Sequence, residues 1–263
     1  MARRSARRAP ANSPRTLWCN IRIPSIRLKR HCMDADTPVR TATATGQFAR
    51  ALLEAPGAGH SDAGTPRAAL PCASHPDAPF FAAVLAKSLA WGDLGRTGLA
   101  GGALRELLAA VFPHVLQSDD PTAGLMLEQV ARQGTGAPPR DEHRAFVAQT
   151  GALLDAYAAP HGTTPWVSRI LIHACLRTDH LWRDLGLAGR EDVTALLRRH
   201  YPGLPERNVH NLRWKKFLAY AARERAGLPP QAAPGCAGCE EEAQCYPVAT
   251  AQPAAPVDVI RTR

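Results

Sequence analysis

Composition, hydrophobic periodicity and a dearth of strand signals predict an all-α fold: a helical bundle with an irregular cysteine-bearing segment near the C-terminus and a disordered basic N-terminal tail. Apolar residues make up 45% of the 263 positions but aromatics only 6%. With alanine heavily used, that balance favours helices, since strands draw on β-branched and aromatic side chains. Apolar residues also recur three and four apart in one stretch after another, and strand signals are nearly absent.

Residues 1–76 are rich in Arg, Pro, Ala, Gly and Thr. They read as a largely disordered tail in which only Gly46–Leu53 promises a helical turn or two. The helical domain spans 77–228. Its first helix carries Phe80, Phe81, Val84, Leu85 and Leu89 and ends near Gly92; its second carries Leu104, Leu107, Leu108 and Val111 and stops at Pro113. A third runs from about Thr122 to Gln133, and Gly134–Arg140 is a linker by composition. Asp141–Ala158 then places Phe146, Val147, Leu153, Leu154 and Tyr157 on one side.

Thr164 and Pro165 read as cap and first turn of a further helix, with Trp166, Val167, Ile170, Leu171, Ala174 and Cys175 on one face. Gly186 is the residue expected to end that run. Val193, Leu196, Leu197, His200 and Tyr201 form the next face, closed by Pro202. The last helix is expected to start near Pro205 and to bury Leu212, Trp214, Phe217, Leu218 and Ala221. Gly227, Pro229 and Pro230 end it, leaving a cysteine segment at 229–250 and a disordered tail at 251–263.

The net charge of +9 belongs to the N-terminal tail. Residues 1–32 hold nine Arg and Lys and no acid, and the remainder balances 23 basic against 23 acidic side chains. That tail reads as a solvated arm for nucleic acid or an acidic partner, as a targeting-like segment without a secretory apolar core, or as sequence upstream of a true start at Met33. It lacks the interleaved aromatics that stack bases, so nucleic acid is not the expected partner. Seven cysteines in no regular framework place the chain in a reducing cytoplasm, and no window is apolar enough to span a membrane.

Three of those cysteines carry the chemistry. Cys236, Cys239 and Cys245 form a C-x2-C-x5-C group in an irregular segment just after a tryptophan-bearing basic helix. Thiolates so spaced converge on one soft metal, which suits iron–sulfur or zinc ligation better than a packed core. Ser, His and acidic residues fall into no activated-nucleophile pattern, and no phosphate-cradling glycine loop opens a helix. The expected protein is therefore not an enzyme.

The stretch Ala174-Cys-Leu-Arg-Thr-Asp-His-Leu-Trp-Arg-Asp-Leu-Gly-Leu187 resembles the segment that marks the NifQ family. So does Asn211-Leu-Arg-Trp-Lys-Lys-Phe-Leu218, with the cysteine group following at the family's spacing. The resemblance covers roughly residues 80–247. It implies an accessory protein of nitrogen fixation that carries a molybdenum–iron–sulfur cluster and donates molybdenum for the nitrogenase iron–molybdenum cofactor. Its implied partners are molybdate and the nitrogenase cofactor-assembly proteins.

The family pattern is C-x4-C-x2-C-x5-C, and its first cysteine falls on Gln231 here. An amide oxygen is a hard donor and replaces a thiolate poorly. Three thiolates suffice for a cubane whose fourth corner holds a heterometal, whereas structural zinc wants four closed ligands. Candidates for a fourth ligand are Cys175, His180 and Gln231, the bland readings of the first two being a core thiol and a hydrogen-bonded helix-end histidine. Glu240, Glu241 and Glu242 read as solvated surface or as oxygen donors to a hard metal. Arg213, Lys215 and Lys216 read either as a solvated helix face or as attractors of oxyanions. The rival functions are a zinc-stabilised helical interaction module and a tail-driven nucleic-acid binder.

Overall fold

The computed structural model describes residues 37–53, 75–117, 121–132 and 140–247. Ten α-helices lie there, joined by 3-10 turns, and no strand occurs among the described residues. No described helix is long and apolar enough to cross a membrane. The expectations for 1–36, most of 54–76, the linker core at 134–139 and the tail beyond 247 lie outside the described residues.

The first helix, α1 (Thr37–Leu53), corrects the reading of a disordered tail with one short helical stretch. Its local pattern is weak, yet Leu52 is fully buried and Phe48 and Leu53 pack on the core. The packing of α1 against α2 (Ala78–Ala90) and α4 (Pro121–Arg132) supplies what propensity does not. Helix α2 buries Phe80, Phe81, Val84, Leu85 and Leu89, and α3 (Gly101–Val111) buries Leu104, Leu107, Leu108 and Val111.

Helix α5 (Asp141–Tyr157) lies against α6 (Thr164–Cys175) and α9 (Trp214–Arg225). Between the last two come α7 (Leu181–Asp184) and α8 (Arg190–His200). A buried carboxylate stitches three of these elements together. Asp77, just before α2, accepts from the Thr163 hydroxyl at 2.5 Å and from Arg199 Nε at 2.6 Å, with His200 Nε2 at 3.2 Å. Burial works against its charge, and the Thr163 and Arg199 hydrogen bonds more than restore it, so its pKa lies below the usual carboxylate value.

Three boundaries differ from the sequence reading, each for a tertiary reason. Thr163, not Thr164, is the residue before α6; the Thr164 hydroxyl instead meets the Ala159 carbonyl at 3.2 Å and His200 Nδ1 at 3.0 Å. The run beginning there does not continue to Gly186 but stops at Cys175, and a loop at 176–180 separates it from α7. Gly186 still closes α7, in the left-handed region at φ 74°, where a Cβ would fall 2.8 Å from the Ala83 carbonyl. The last helix begins at Trp214 rather than Pro205, which opens only a 3-10 turn. The Asn208 side chain accepts from Leu212 N and donates to its carbonyl, both at 2.8 Å, holding 208–212 as a loop.

Candidate metal centre

The break between α6 and α7 builds the floor of a pocket. Arg177 turns back there: its guanidinium donates to the Arg96 carbonyl and, at 3.0 Å, to that of Asp184, and lies 3.3 Å from the Asp184 carboxylate. Lys215, buried near the start of α9, donates to Asp184 Oδ2 at 2.6 Å and to the Arg177 carbonyl at 2.5 Å. The floor is therefore a buried ionic knot in which two cations share the Asp184 carboxylate and backbone carbonyls take further N–H groups of both.

The cysteine segment lies on that floor. A 3-10 turn at Pro234–Cys236 brings Gly235 against the backbone of Arg177. Ala233 and Cys236 bury against Ala219 of α9, with Phe146 and Tyr246 packed beside them. The chain then coils tightly: Cys239 N donates to the Cys236 carbonyl at 3.1 Å, Glu242 N to the Cys239 carbonyl at 3.0 Å, and Cys245 N to the Glu241 carbonyl at 3.0 Å. A final helical turn, α10 (Glu242–Cys245), completes it. Lys216 ties its end to α9 by donating to the Cys245 carbonyl.

Cys236, Cys239 and Cys245 all line one pocket of about 100 Å³. Its other walls are Asp179, His180, Leu181 and Trp182 from the α6–α7 connection, Arg190 from the start of α8, and Arg213–Lys216 from the start of α9. The Tyr246 hydroxyl donates to Cys236 Sγ at 3.6 Å. Burial, then that thiol, hold the phenol pKa far above its usual value. Burial also raises the Cys245 thiol, with the Arg213 guanidinium opposing it.

Of the further candidates, only His180 reaches this pocket. Its ring lies parallel to Trp182 at 6.5 Å, and its Nε2 stands 3.4 Å from Glu241 and 3.8 Å from Glu240. The histidine and these two carboxylates place one ligand atom each within 4.8 Å of one another. Cys175 sits fully buried in the core and is not among the pocket-lining residues. Burial pushes its thiol up to about 12, keeping it protonated. Gln231 is exposed and likewise lies off the lining.

The glutamate run is neither free nor idle. Glu240 pairs with Arg183 at 2.7 Å, Glu241 with Arg213, and Glu242 accepts from Gly238 N at 2.9 Å. These contacts shape the coil between the second and third cysteines. Sequence reasoning missed Arg190, Asp179 and the indoles of Trp182 and Trp214 as pocket walls. The last three lie inside the two segments that carried the family resemblance, which was the available signal; Arg190 had none.

Three thiols and an imidazole line one part-buried cavity, donor types that suit a soft metal or an iron–sulfur cluster. Among the described residues, the ligand atoms within 4.8 Å of one another are those of His180, Glu240 and Glu241, with no thiol in the group. One buried polar donor also belongs to a lining residue. Trp214 is 6% exposed, and its Nε1 has no hydrogen-bond acceptor among the described residues.

The NifQ family model matches residues 80–247. The chain is 33% identical over 151 residues to the protein NifQ of Azotobacter vinelandii, covering 57% of this chain and 76% of that one. It is 32% identical over 183 residues to the NifQ homolog of Sinorhizobium fredii, 67% of this chain and 74% of the relative. A third relative, the protein NifQ of Rhodobacter capsulatus, is 36% identical over 81 residues, 31% of this chain and 45% of its own length. No solved structure matches the chain. The match from Phe80 to Pro247 takes in both walls of the thiol pocket, and the chain belongs to the NifQ family of nitrogen-fixation accessory proteins.

Proposed function

We propose that this chain binds a molybdenum–iron–sulfur cluster in the thiol pocket and donates molybdenum to the proteins that assemble the nitrogenase iron–molybdenum cofactor. The observation that carries the proposal is that Cys236, Cys239, Cys245 and His180 all line one cavity of about 100 Å³. Cys236, Cys239 and Cys245 hold the cluster, and His180 is the fourth donor in place of the thiolate that Gln231 does not supply. Bound there, the cluster offers sulfide ligation to molybdenum. A neutral imidazole in place of a fourth thiolate makes the remaining position weaker and more exchangeable, which suits release to an acceptor. The role is metal delivery in the cytoplasm rather than turnover of an organic substrate, with molybdate as the source of metal.

Anaerobic purification followed by metal analysis tests this reading. A brown protein containing iron and molybdenum, with visible charge-transfer absorption lost in Cys→Ser variants of 236, 239 and 245, supports it. A colourless protein with one zinc per chain would replace it with a zinc-stabilised interaction module.

A further inference from the structure

The start of α9 lines the same pocket as the thiols, and with Arg190 of α8 it brings four cations to that lining. Arg213 is paired with Glu241 and Lys215 with Asp184. Arg190 and Lys216 also line the cavity, yet neither has a carboxylate partner among the described residues. The Arg190 guanidinium sits 5.1 Å over the Trp214 ring and donates to Asn211 Oδ1 at 2.7 Å and the Leu212 carbonyl at 2.8 Å. Lys216 is held by the Cys245 carbonyl and lies 4.7 Å from the Tyr246 ring centre. These hydrogen-bond and ring partners are neutral, and Glu191 acts on Arg190 only through space, so neither cation is held in an ion pair among the described residues.

Two further observations point the same way. Helix α9 is twelve residues long, and Arg213 before it makes no side-chain cap. Its first residues Trp214, Lys215 and Lys216 line the cavity, which brings the positive end of a helix to that lining. Trp214, nine-tenths buried, has an indole N–H that lacks an acceptor among the described residues. A buried donor without a partner costs free energy that only an incoming acceptor recovers. An uncapped helix start, an orphaned N–H and two cations outside any ion pair together describe a receptor for an anion with several acceptor oxygens.

We propose that Trp214, Arg190, Lys216 and the N-terminus of α9 form a subsite for a tetrahedral dianionic oxyanion, in the same pocket as the three thiols. Its natural occupant, molybdate, rests on the proposed metal-delivery role; the anion site itself does not. The subsite concentrates the oxyanion beside the sulfur donors before any transfer. It thereby gives a task to the Arg-Trp-Lys-Lys motif that the ligand set leaves unused.

The test is calorimetric titration of the metal-free full chain with molybdate, tungstate and sulfate, beside Trp214→Phe, Arg190→Gln and Lys216→Gln, each checked for native helix content. Trp214→Phe is expected to weaken molybdate binding roughly tenfold, the scale of one hydrogen bond to a charged group. The two cation variants are expected to weaken it at least as much, with a steeper effect at low salt. Iron incorporation is measured separately on the same preparations. Oxyanion binding that persists when no cluster can be reconstituted leaves the subsite standing and removes the cluster reading. Equal affinity in wild type and all three variants, or binding lost only when the thiols become serines, overturns the subsite.

Discussion

Gly235 lies so close to Arg177 that a Cβ at position 235 would fall 1.9 Å from the Arg177 carbonyl oxygen. No side chain fits between the two backbones, and neither neighbour is the tip of a flexible side chain. The cysteine segment is thus seated on the α6–α7 loop main chain to main chain. Gly235→Ala is expected to lift this seat, costing roughly 2 kcal/mol in a urea titration. Metal per chain should fall sharply while the far-ultraviolet helix signal is kept. A variant that retains full metal would show that the seat does not position the thiols.

The buried and pocket cysteines are expected to separate cleanly. Serine at 236, 239 or 245 removes a donor, and iron per chain measured after anaerobic reconstitution should drop at least severalfold in each. Cys175→Ala removes a fully buried core thiol. It should leave iron unchanged and lower the thermal midpoint, with a stability loss of about 1–2 kcal/mol. Loss of iron from Cys175→Ala would move that residue into the ligand set.

His180 and Gln231 make opposite predictions. His180 lines the pocket and Gln231 does not. His180→Ala should therefore lower molybdenum retained after gel filtration by at least about tenfold, since even partners of metal ligands are worth that much. Gln231→Cys should retain as much molybdenum as the parent chain, since its new thiol starts outside the cavity. A gain of molybdenum in Gln231→Cys would instead identify that position as the missing donor.

Lys215 and Asp184 form a buried pair at 2.6 Å, with Arg177 also on the carboxylate. Lys215→Ala leaves the carboxylate with Arg177 and is expected to cost about 1–3 kcal/mol. Asp184→Ala takes the carboxylate from both cations and is expected to cost more, roughly 3–5 kcal/mol. The measurement is the urea midpoint with the slope held constant. The double variant should cost less than the two single changes added, because only Arg177 is then left without its carboxylate.

Stability should fall with acid through His173. Burial, then the nearby Arg169 and Arg177 charges, depress its pKa from 6.5 to about 4. The unfolded chain therefore binds a proton that the folded one refuses between those values. The contribution is complete above pH 6.5 and is lost as pH falls to about 4, at most on the order of 3 kcal/mol. His200 is depressed in the same direction, by burial first, with Asp77 opposing. Urea midpoints are expected to be flat from pH 7 to 8 and to decline between 6.5 and 4, less steeply in His173→Gln.

The helical fold was legible where one face carries the apolar pattern. Phe80, Phe81, Val84, Leu85 and Leu89 share α2, and Val193, Leu196 and Leu197 share α8, all close to the expected limits. The pattern gave no warning where side chains interrupt it. Pro205 reads as a helix opener, but the Asn208 amide closes a loop first and Asn211 takes a positive φ of 48°. Helix α1 was short in the reading because its burial depends on partners distant in sequence. At the site, the thiols announced themselves by spacing. Arg190 did not, since its place beside Trp214 exists only once α8 and α9 have packed. The placement of His180 in the pocket and Cys175 in the core likewise needed the three-dimensional structure, because both lie in one motif.

If the pocket holds metal as proposed, its selectivity would belong to the assembled body, not to the peptide that bears the sulfurs. The rest of the lining comes from residues 179–182, 190 and 213–216. A synthetic fragment of 229–247 would still offer its thiols, yet it would lack the imidazole, the indole and every cation of that lining. Such a fragment should capture zinc, cadmium or iron with little preference. Transplanting the loop into another scaffold would carry over affinity without choice.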